Sequence, residues 1–261
     1  MSLLENIIKS NIYLYILIKY LYQNYFYWFL YEKEFEILSK FKNQLIKKNY
    51  CILDIGSNNG VSALSIRLFN KKNKIYSFEP NFLLKNKLNK VKNKINNFKF
   101  YLMGALDKKG SKTFFIPFFK KYCLDSNASI SEVYVRNSVS RGFYNSKVLN
   151  NISIQKITCK FINIDSLNKK PFFVKMDTEG SEHLVIKGMQ KTIHKYKPVL
   201  MIEKNDLNFP KIKKILANLK YDIFQYKNKS FIKYKLQKKI HTNLVCIHKD
   251  KHNIFLGVLF K

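Results

Sequence analysis

Cys51-Ile-Leu-Asp54-Ile-Gly56-Ser-Asn58-Asn-Gly60 is the stretch whose reading decides the fold. An apolar run of strand length ends in a glycine turn, and a helix is expected to begin at about Gly60. Glycines at 56 and 60 would let the backbone approach a ligand closely, since a Cβ there would collide with it. The spacing is G-x-x-x-G. It lacks the G-x-G-x-x-G that seats a dinucleotide pyrophosphate on a helix N-terminus. The turn therefore points to a ligand without a pyrophosphate.

Moving outward, the run Ile75-Tyr-Ser-Phe78 is followed by Glu79, 23 positions after Gly56, and Pro80 then opens a helix. A carboxylate there can accept hydrogen bonds from both ribose hydroxyls of an adenosine. The plainer reading is a solvent-facing acid favoured by a helix dipole. Further on, Phe172-Phe-Val-Lys175-Met-Asp177-Thr-Glu179-Gly180-Ser-Glu182-His183 again brings charged groups to the end of an apolar run. Strand alternation puts Lys175 and Asp177 on one face. Glu179 and Glu182 fit ordinary first-turn acids equally well.

Five apolar runs, Tyr50–Ile55, Lys74–Phe78, Phe98–Gly104, Phe172–Met176 and Val199–Glu203, alternate with helix-like stretches near 60–70, 80–96, 180–195 and 208–220. That alternation predicts an α/β fold, a mostly parallel central sheet with helices on both faces. Residues 111–116 and 154–164 read as extra strands, and 118–150 as a long loop or lid. Tyr221–Tyr226 and Thr242–His248 read as an antiparallel pair closing the sheet.

A chain of 261 residues can hold one such domain, placed at 49–261, plus an extension at 1–48. Residues 12–31 of the extension have no acid, Gly or Pro and read as helix, yet Lys19, Gln23 and Asn24 interrupt any membrane span. Its tyrosines suit a surface apolar on one side and wet on the other. Packing on the domain, self-association, peripheral membrane contact and a true span all stay open for this segment. The net charge of +31 comes from 48 basic residues, of which only Arg67, Arg136 and Arg141 are arginine. With the abundant Asn, Ile, Phe and Tyr, this reads mainly as coding bias, and no specific nucleic-acid partner is expected. Cys51, Cys123, Cys159 and Cys246 form no close pair, so neither a zinc site nor a disulfide framework is expected, and a reducing, cytoplasmic location is the simpler reading.

The chain resembles the FkbM family of methyltransferases over about residues 50–250. The motifs that carry the likeness are Leu53-Asp-Ile-Gly-Ser-Asn-Asn-Gly60, Phe78-Glu-Pro-Asn81, Gly104-Ala-Leu-Asp107, Val174-Lys-Met-Asp-Thr-Glu-Gly-Ser-Glu182, Lys187-Gly188 and Lys197-Pro-Val-Leu-Met-Ile-Glu203. Asp125-Ser-Asn-Ala-Ser129 is only loosely similar to a serine-rich stretch of the family. The resemblance implies a class I methyltransferase (Rossmann-like) fold, S-adenosylmethionine as cofactor, and a hydroxyl acceptor on a glycan or small metabolite. Carried over by position, Asp54, Gly56, Asn58 and Gly60 would hold the methionine part and Glu79 the ribose. Ala105 and Leu106 would border the adenine, and Lys175 and Asp177 would face the methyl group. Its place at a strand terminus facing that site makes Asp177 the candidate general base. His183 is the rival base. The histidines have no ligand spacing, so no metal is expected. A non-catalytic binding module and a nucleic-acid methyltransferase remain the alternatives at this point.

Overall fold

A computed structural model describes residues 11–21, 24–25, 31–47, 49–143, 146–204, 208–235 and 243–260. The five apolar runs become adjacent parallel strands: β1 (Cys51–Ile55), β2 (Lys74–Phe78), β3 (Phe98–Tyr101), β8 (Pro171–Met176) and β9 (Val199–Glu203). Between them the chain forms β4 (Gly104–Ala105), β5 (Gly110–Phe119), β6 (Tyr122–Cys123) and β7 (Ile152–Ile162), and after them β10 (Tyr221–Lys227), β11 (Ser230–Lys233), β12 (Asn243–His248) and β13 (Leu259–Phe260). The main sheet runs β13-β11-β10-β12-β9-β8-β1-β2-β3. β12 enters antiparallel between β9 and β10, which is the closing pair read from the sequence; Thr242, where that run was placed to begin, lies outside the described residues.

β1 and β8 are buried at every position, as strands covered on both faces must be. Two apolar cores lie on the two faces. Ile52 and Phe173 go to one, Leu53 and Val174 to the other, as the two-residue period of a strand requires. Helices α2 (Val61–Phe69) and α3 (Lys85–Lys94) cover the first face through Ala63, Leu64, Leu88 and Val91. Helices α5 (Glu182–Lys187), α6 (Gln190–Tyr196) and α7 (Phe209–Asn218) cover the second through Val185, Ile193 and Ile212. Phe35, Ile37, Leu38 and Phe41, which precede β1, are fully or nearly fully buried in the first core. Phe41 meets the Phe172 ring edge-on, with centroids 5.0 Å apart.

The extra strands form a second sheet, β4-β7-β5-β6. Its long β5–β7 ladder runs antiparallel from Gly110↔Phe161 to Phe119↔Ile152. Residues 118–150 are not the long loop expected. They end β5, form β6, and then build helix α4 (Glu132–Gly142) and a short helix at Ser146–Leu149. Ser131 caps α4 by accepting from the Tyr134 N–H at 3.2 Å, and Tyr134, Val135 and Val139 give it a buried side. Helix α1 (Ile12–Leu21) lies against this part of the chain. Ile12 packs with Phe119, Leu124, Val139 and Phe143. The expected helix over 12–31 is thus seen as far as Leu21, and Tyr22, Gln23 and residues 26–30 lie outside the described residues. Among the described residues no helix is long and apolar enough to cross a membrane.

Candidate methyl-donor site

The carboxyl ends of β1, β2 and β8 open into a cavity of about 240 Å³. It lies where open α/β sheets bind their ligands. Gly56, Asn58, Glu79, Ala105, Lys175 and Asp177 all line it, whereas Asp54, Gly60 and Leu106 lie outside its lining.

The turn after β1 is built from within. Gly56 and Gly60 have φ of +76° and +85°, where a Cβ is disfavoured. A Cβ on Gly56 would sit 1.7 Å from the Asp177 carbonyl oxygen, and one on Gly60 2.9 Å from Val91 Cγ2. The glycines therefore fit the turn against β8 and α3. Gly56 also lines the cavity, so its backbone is open to whatever binds there. Gly56→Ala is expected to cost on the order of 4 kcal/mol, since it adds backbone strain to a clash with main chain that cannot rotate away. Urea unfolding measures it, and a loss below about 1 kcal/mol would show that the loop yields freely.

Asp54 is fully buried beneath the turn. Its carboxylate accepts from Ser62 Oγ at 2.9 Å and Ser77 Oγ at 2.7 Å and lies 3.8 Å from Lys175 Nζ. Burial pushes its pKa up, and Lys175 and the two hydroxyls oppose that rise. Lys175, 3% exposed, donates to the Gly56 carbonyl at 2.8 Å and pairs with Asp177 at 3.1 Å. Burial works against its charge, but Asp177, Asp54 and Glu32 outweigh it and hold the ammonium firmly protonated. Asp54 thus reaches the cavity through Lys175, which ties the glycine turn to Asp177. Leu106 is fully buried among Phe114, Ile116 and Phe161 under the second sheet. His183, the rival base, is on α5 and does not line the cavity.

Glu79, at the end of β2, is 6% exposed, and its carboxylate bridges two loops. It accepts from the Asn58 N–H at 2.8 Å and the Asn81 N–H at 2.9 Å. Burial pushes its pKa up to about 7, with the two backbone N–H groups restraining the rise. One lone pair on each oxygen stays available, as two ribose hydroxyls would require. Beside it the buried Ser57 Oγ has no hydrogen-bond partner among the described residues. A buried hydroxyl of that kind calls for a polar ligand atom or water.

The sequence left Glu179 open between a site role and a first-turn acid, and other wall residues were not found from it. Glu179 accepts from Tyr134 Oη at 2.8 Å. Burial, then the nearby Asp177, raises its pKa to about 8. Oxygen atoms of Asp177, Glu179 and Glu203 lie within 4.8 Å of one another. Burial and then Asp177 raise Glu203 strongly. The expectation of no metal came from histidine spacing, which says nothing of such carboxylates. Glu203 was within reach of the sequence, because it ends the strand next to Asp177. Glu32 and Lys19 come from before the domain and line the same cavity. Asn243 on β12 donates to Glu32 at 2.6 Å. Burial pushes Glu32 up to about 7, partly offset by Lys175. Lys19 is ion-paired with the buried Asp125, which also meets Lys87 at 3.2 Å. Burial opposes the Asp125 charge, but the two lysines prevail and hold its carboxyl below the ordinary range.

A mostly parallel sheet covered by helices, with a glycine turn after its first strand and acids at the ends of the second and fourth parallel strands, is a class I methyltransferase fold. The Methyltransferase FkbM domain model matches residues 54–226, and the chain belongs to that family, with S-adenosylmethionine as cofactor. The FkbM methyltransferase of Methylobacillus flagellatus KT superposes with a TM-score of 0.49 at 16% identity, covering 77% of this chain and 44% of that one. The chain therefore spans less than half the length of that protein. A precorrin-6y C5,15-methyltransferase from Geobacter metallireducens GS-15 gives 0.41 at 11% identity, covering 84% of this chain and 87% of that one. An rRNA methylase from Streptococcus thermophilus gives 0.43 at 11% identity, covering 82% and 91%. No curated protein matches the chain.

The cavity fits this cofactor. Glu79 presents a buried carboxylate for the ribose, and Ser57 offers an unsatisfied hydroxyl. Five acids, Glu32, Glu79, Asp125, Asp177 and Glu179, face two lysines across a space suited to a sulfonium cation.

Proposed function

We propose that the chain is an S-adenosylmethionine-dependent O-methyltransferase acting on a hydroxyl of a glycan or small metabolite. The observation that carries the reading is the Lys175–Asp177 pair, 3.1 Å apart, lining the same cavity as Glu79. Bound there, the cofactor supplies a methyl carbon already activated by a positive sulfur. The chain's own task is then to align an acceptor oxygen with that carbon, which can contribute on the order of 7–11 kcal/mol in favourable cases.

Asp177 is the group placed to take the hydroxyl proton. Its side chain is 31% exposed, open enough to meet an acceptor, while Lys175 beneath it is nearly closed off. Lys175 fixes the Asp177 carboxylate and can steady negative charge developing on the acceptor oxygen. Glu79 binds and orients the donor. Ionised, it accepts hydrogen bonds from two hydroxyls; protonated, one of its oxygens becomes a donor and it can no longer accept from both. Affinity for S-adenosylhomocysteine is therefore expected to fall about tenfold per pH unit below roughly pH 7, the protonated carboxyl being the form that must lose its proton to bind. Titration from pH 8 to 5.5 measures this, and a flat affinity would remove Glu79 from donor binding.

The reaction itself is tested by incubating the chain with methyl-labelled donor and fractionated cell extract. Label is expected in a hydroxyl-bearing small molecule or glycan as a base-stable methyl ether. Label confined to nucleic acid would overturn the acceptor class. Donor binding with no label in any fraction would favour a non-catalytic module.

A further inference from the structure

A second cavity, of about 370 Å³, lies beside the first and shares Lys19, Asn59, Val61 and Asp125 with it. It is framed by α1, by α3 and by the β5–β6 turn, so residues from before the family domain form one of its walls. Its charge is opposite to that of its neighbour. The donor cavity carries five acids against two lysines. Among the described residues the second carries five lysines, at 19, 87, 90, 94 and 121, against one acid, Asp125. That acid is already spoken for, because both Lys19 and Lys87 pair with it. Lys90 and Lys121 are exposed at the rim. Lys19 and Asp125 are common to both cavities, so the difference lies in Lys87, Lys90, Lys94 and Lys121 on one side and Glu32, Glu79, Asp177 and Glu179 on the other.

The rest of the lining narrows the ligand. Tyr15, Tyr20 and Tyr122 face the same space. Lys121 Nζ lies over the Tyr122 ring, 5.7 Å from its centroid, so an ammonium group and a tyrosine stand together at this wall. Lysines bind phosphate as point charges, and tyrosine offers both a flat apolar face and a hydroxyl to a sugar ring. We propose that this cavity is a subsite for a phosphomonoester carried on a sugar-sized ring, and that it holds the anionic end of the acceptor next to the donor cavity. This rests on the methyltransferase reading above and adds the acceptor's charge class to it. The phosphomonoester can be that of a soluble sugar phosphate or one at a lipid surface. Tyr13, Leu17 and Tyr20, exposed on α1, border the second case.

The test is calorimetric titration at low salt with glucose 1-phosphate, glucose and inorganic phosphate, run beside S-adenosylhomocysteine. Glucose 1-phosphate is expected to bind saturably, and more tightly than inorganic phosphate, while glucose gives no saturation. The double variant Lys90→Gln, Lys121→Gln is expected to weaken it at least tenfold and leave S-adenosylhomocysteine binding unchanged. The control Lys213→Gln, Lys214→Gln, on α7 and outside both cavities, is expected to do neither. Vesicles containing phosphatidic acid form the second arm. Cosedimentation lost in the Lys90/Lys121 variant and competed by glucose 1-phosphate assigns the lipid-borne source, and its absence beside soluble binding assigns the free one. No binding of either phosphomonoester, or equal losses in the control pair, overturns the proposal. If S-adenosylhomocysteine also fails to bind, the methyltransferase reading fails with it.

Discussion

Asp177→Asn is expected to lower methyl transfer by about 10²–10⁴-fold, the usual contribution of a positioned general base. The substitution is nearly isosteric, so the exposed side chain keeps its place beside Lys175, 3.1 Å away in the native pair. What is lost is the acceptor for the hydroxyl proton. Donor affinity should change little, because the contacts assigned to the donor are made by Glu79 and the turn after β1. Lys175 remains tied to the Gly56 carbonyl and close to Asp54, so the fold should hold. Initial rates with labelled donor and the identified acceptor measure the effect, with S-adenosylhomocysteine titration as the companion. A variant with an unchanged rate removes Asp177 from the chemistry.

Glu79→Ala is expected to weaken donor binding by at least about 100-fold. A hydrogen bond to a charged group is worth roughly 1.5–3 kcal/mol, and two are lost at once. The variant also strands the Asn58 and Asn81 N–H groups that Glu79 now holds at 2.8 and 2.9 Å, loosening the loop against which the donor rests. Glu79→Gln separates the two contributions, since its amide oxygen still accepts and its shape is kept, and it should show an intermediate loss. Equal affinity in the native chain and both variants would mean that the carboxylate only ties the loops together.

The parallel half of the sheet was legible because its strands are short apolar runs buried on both faces, and each of three runs hands a polar group to the same edge. Asp54, Glu79 and the Lys175–Asp177 pair could be placed at that edge before any coordinates, since parallel strands all finish on one side. Three things were not legible. Helix α4 was hidden because its buried residues, Tyr134, Val135 and Val139, are interleaved with Arg136, Asn137, Ser138 and Ser140, which blurs the helical period. The packing role of Gly56 was not legible because its obstacle is the Asp177 carbonyl, 121 positions away in the chain. The closing wall of the cavity was missed because Lys19, Glu32 and Asp125 reach it only through tertiary packing, and no local spacing marks them. Glu203 is a different case. The rule that placed Asp177 at a strand terminus applies to the neighbouring strand as well, and using it there would have found the carboxylate.

The most direct check is a crystal structure of the chain grown with S-adenosylhomocysteine. The expected result is a ligand at the ends of β1, β2 and β8, both ribose hydroxyls within hydrogen-bond reach of Glu79, and the sulfur turned toward Asp177. A ligand seated elsewhere, or one whose ribose leaves Glu79 untouched, would contradict the assignment of this cavity to the methyl donor.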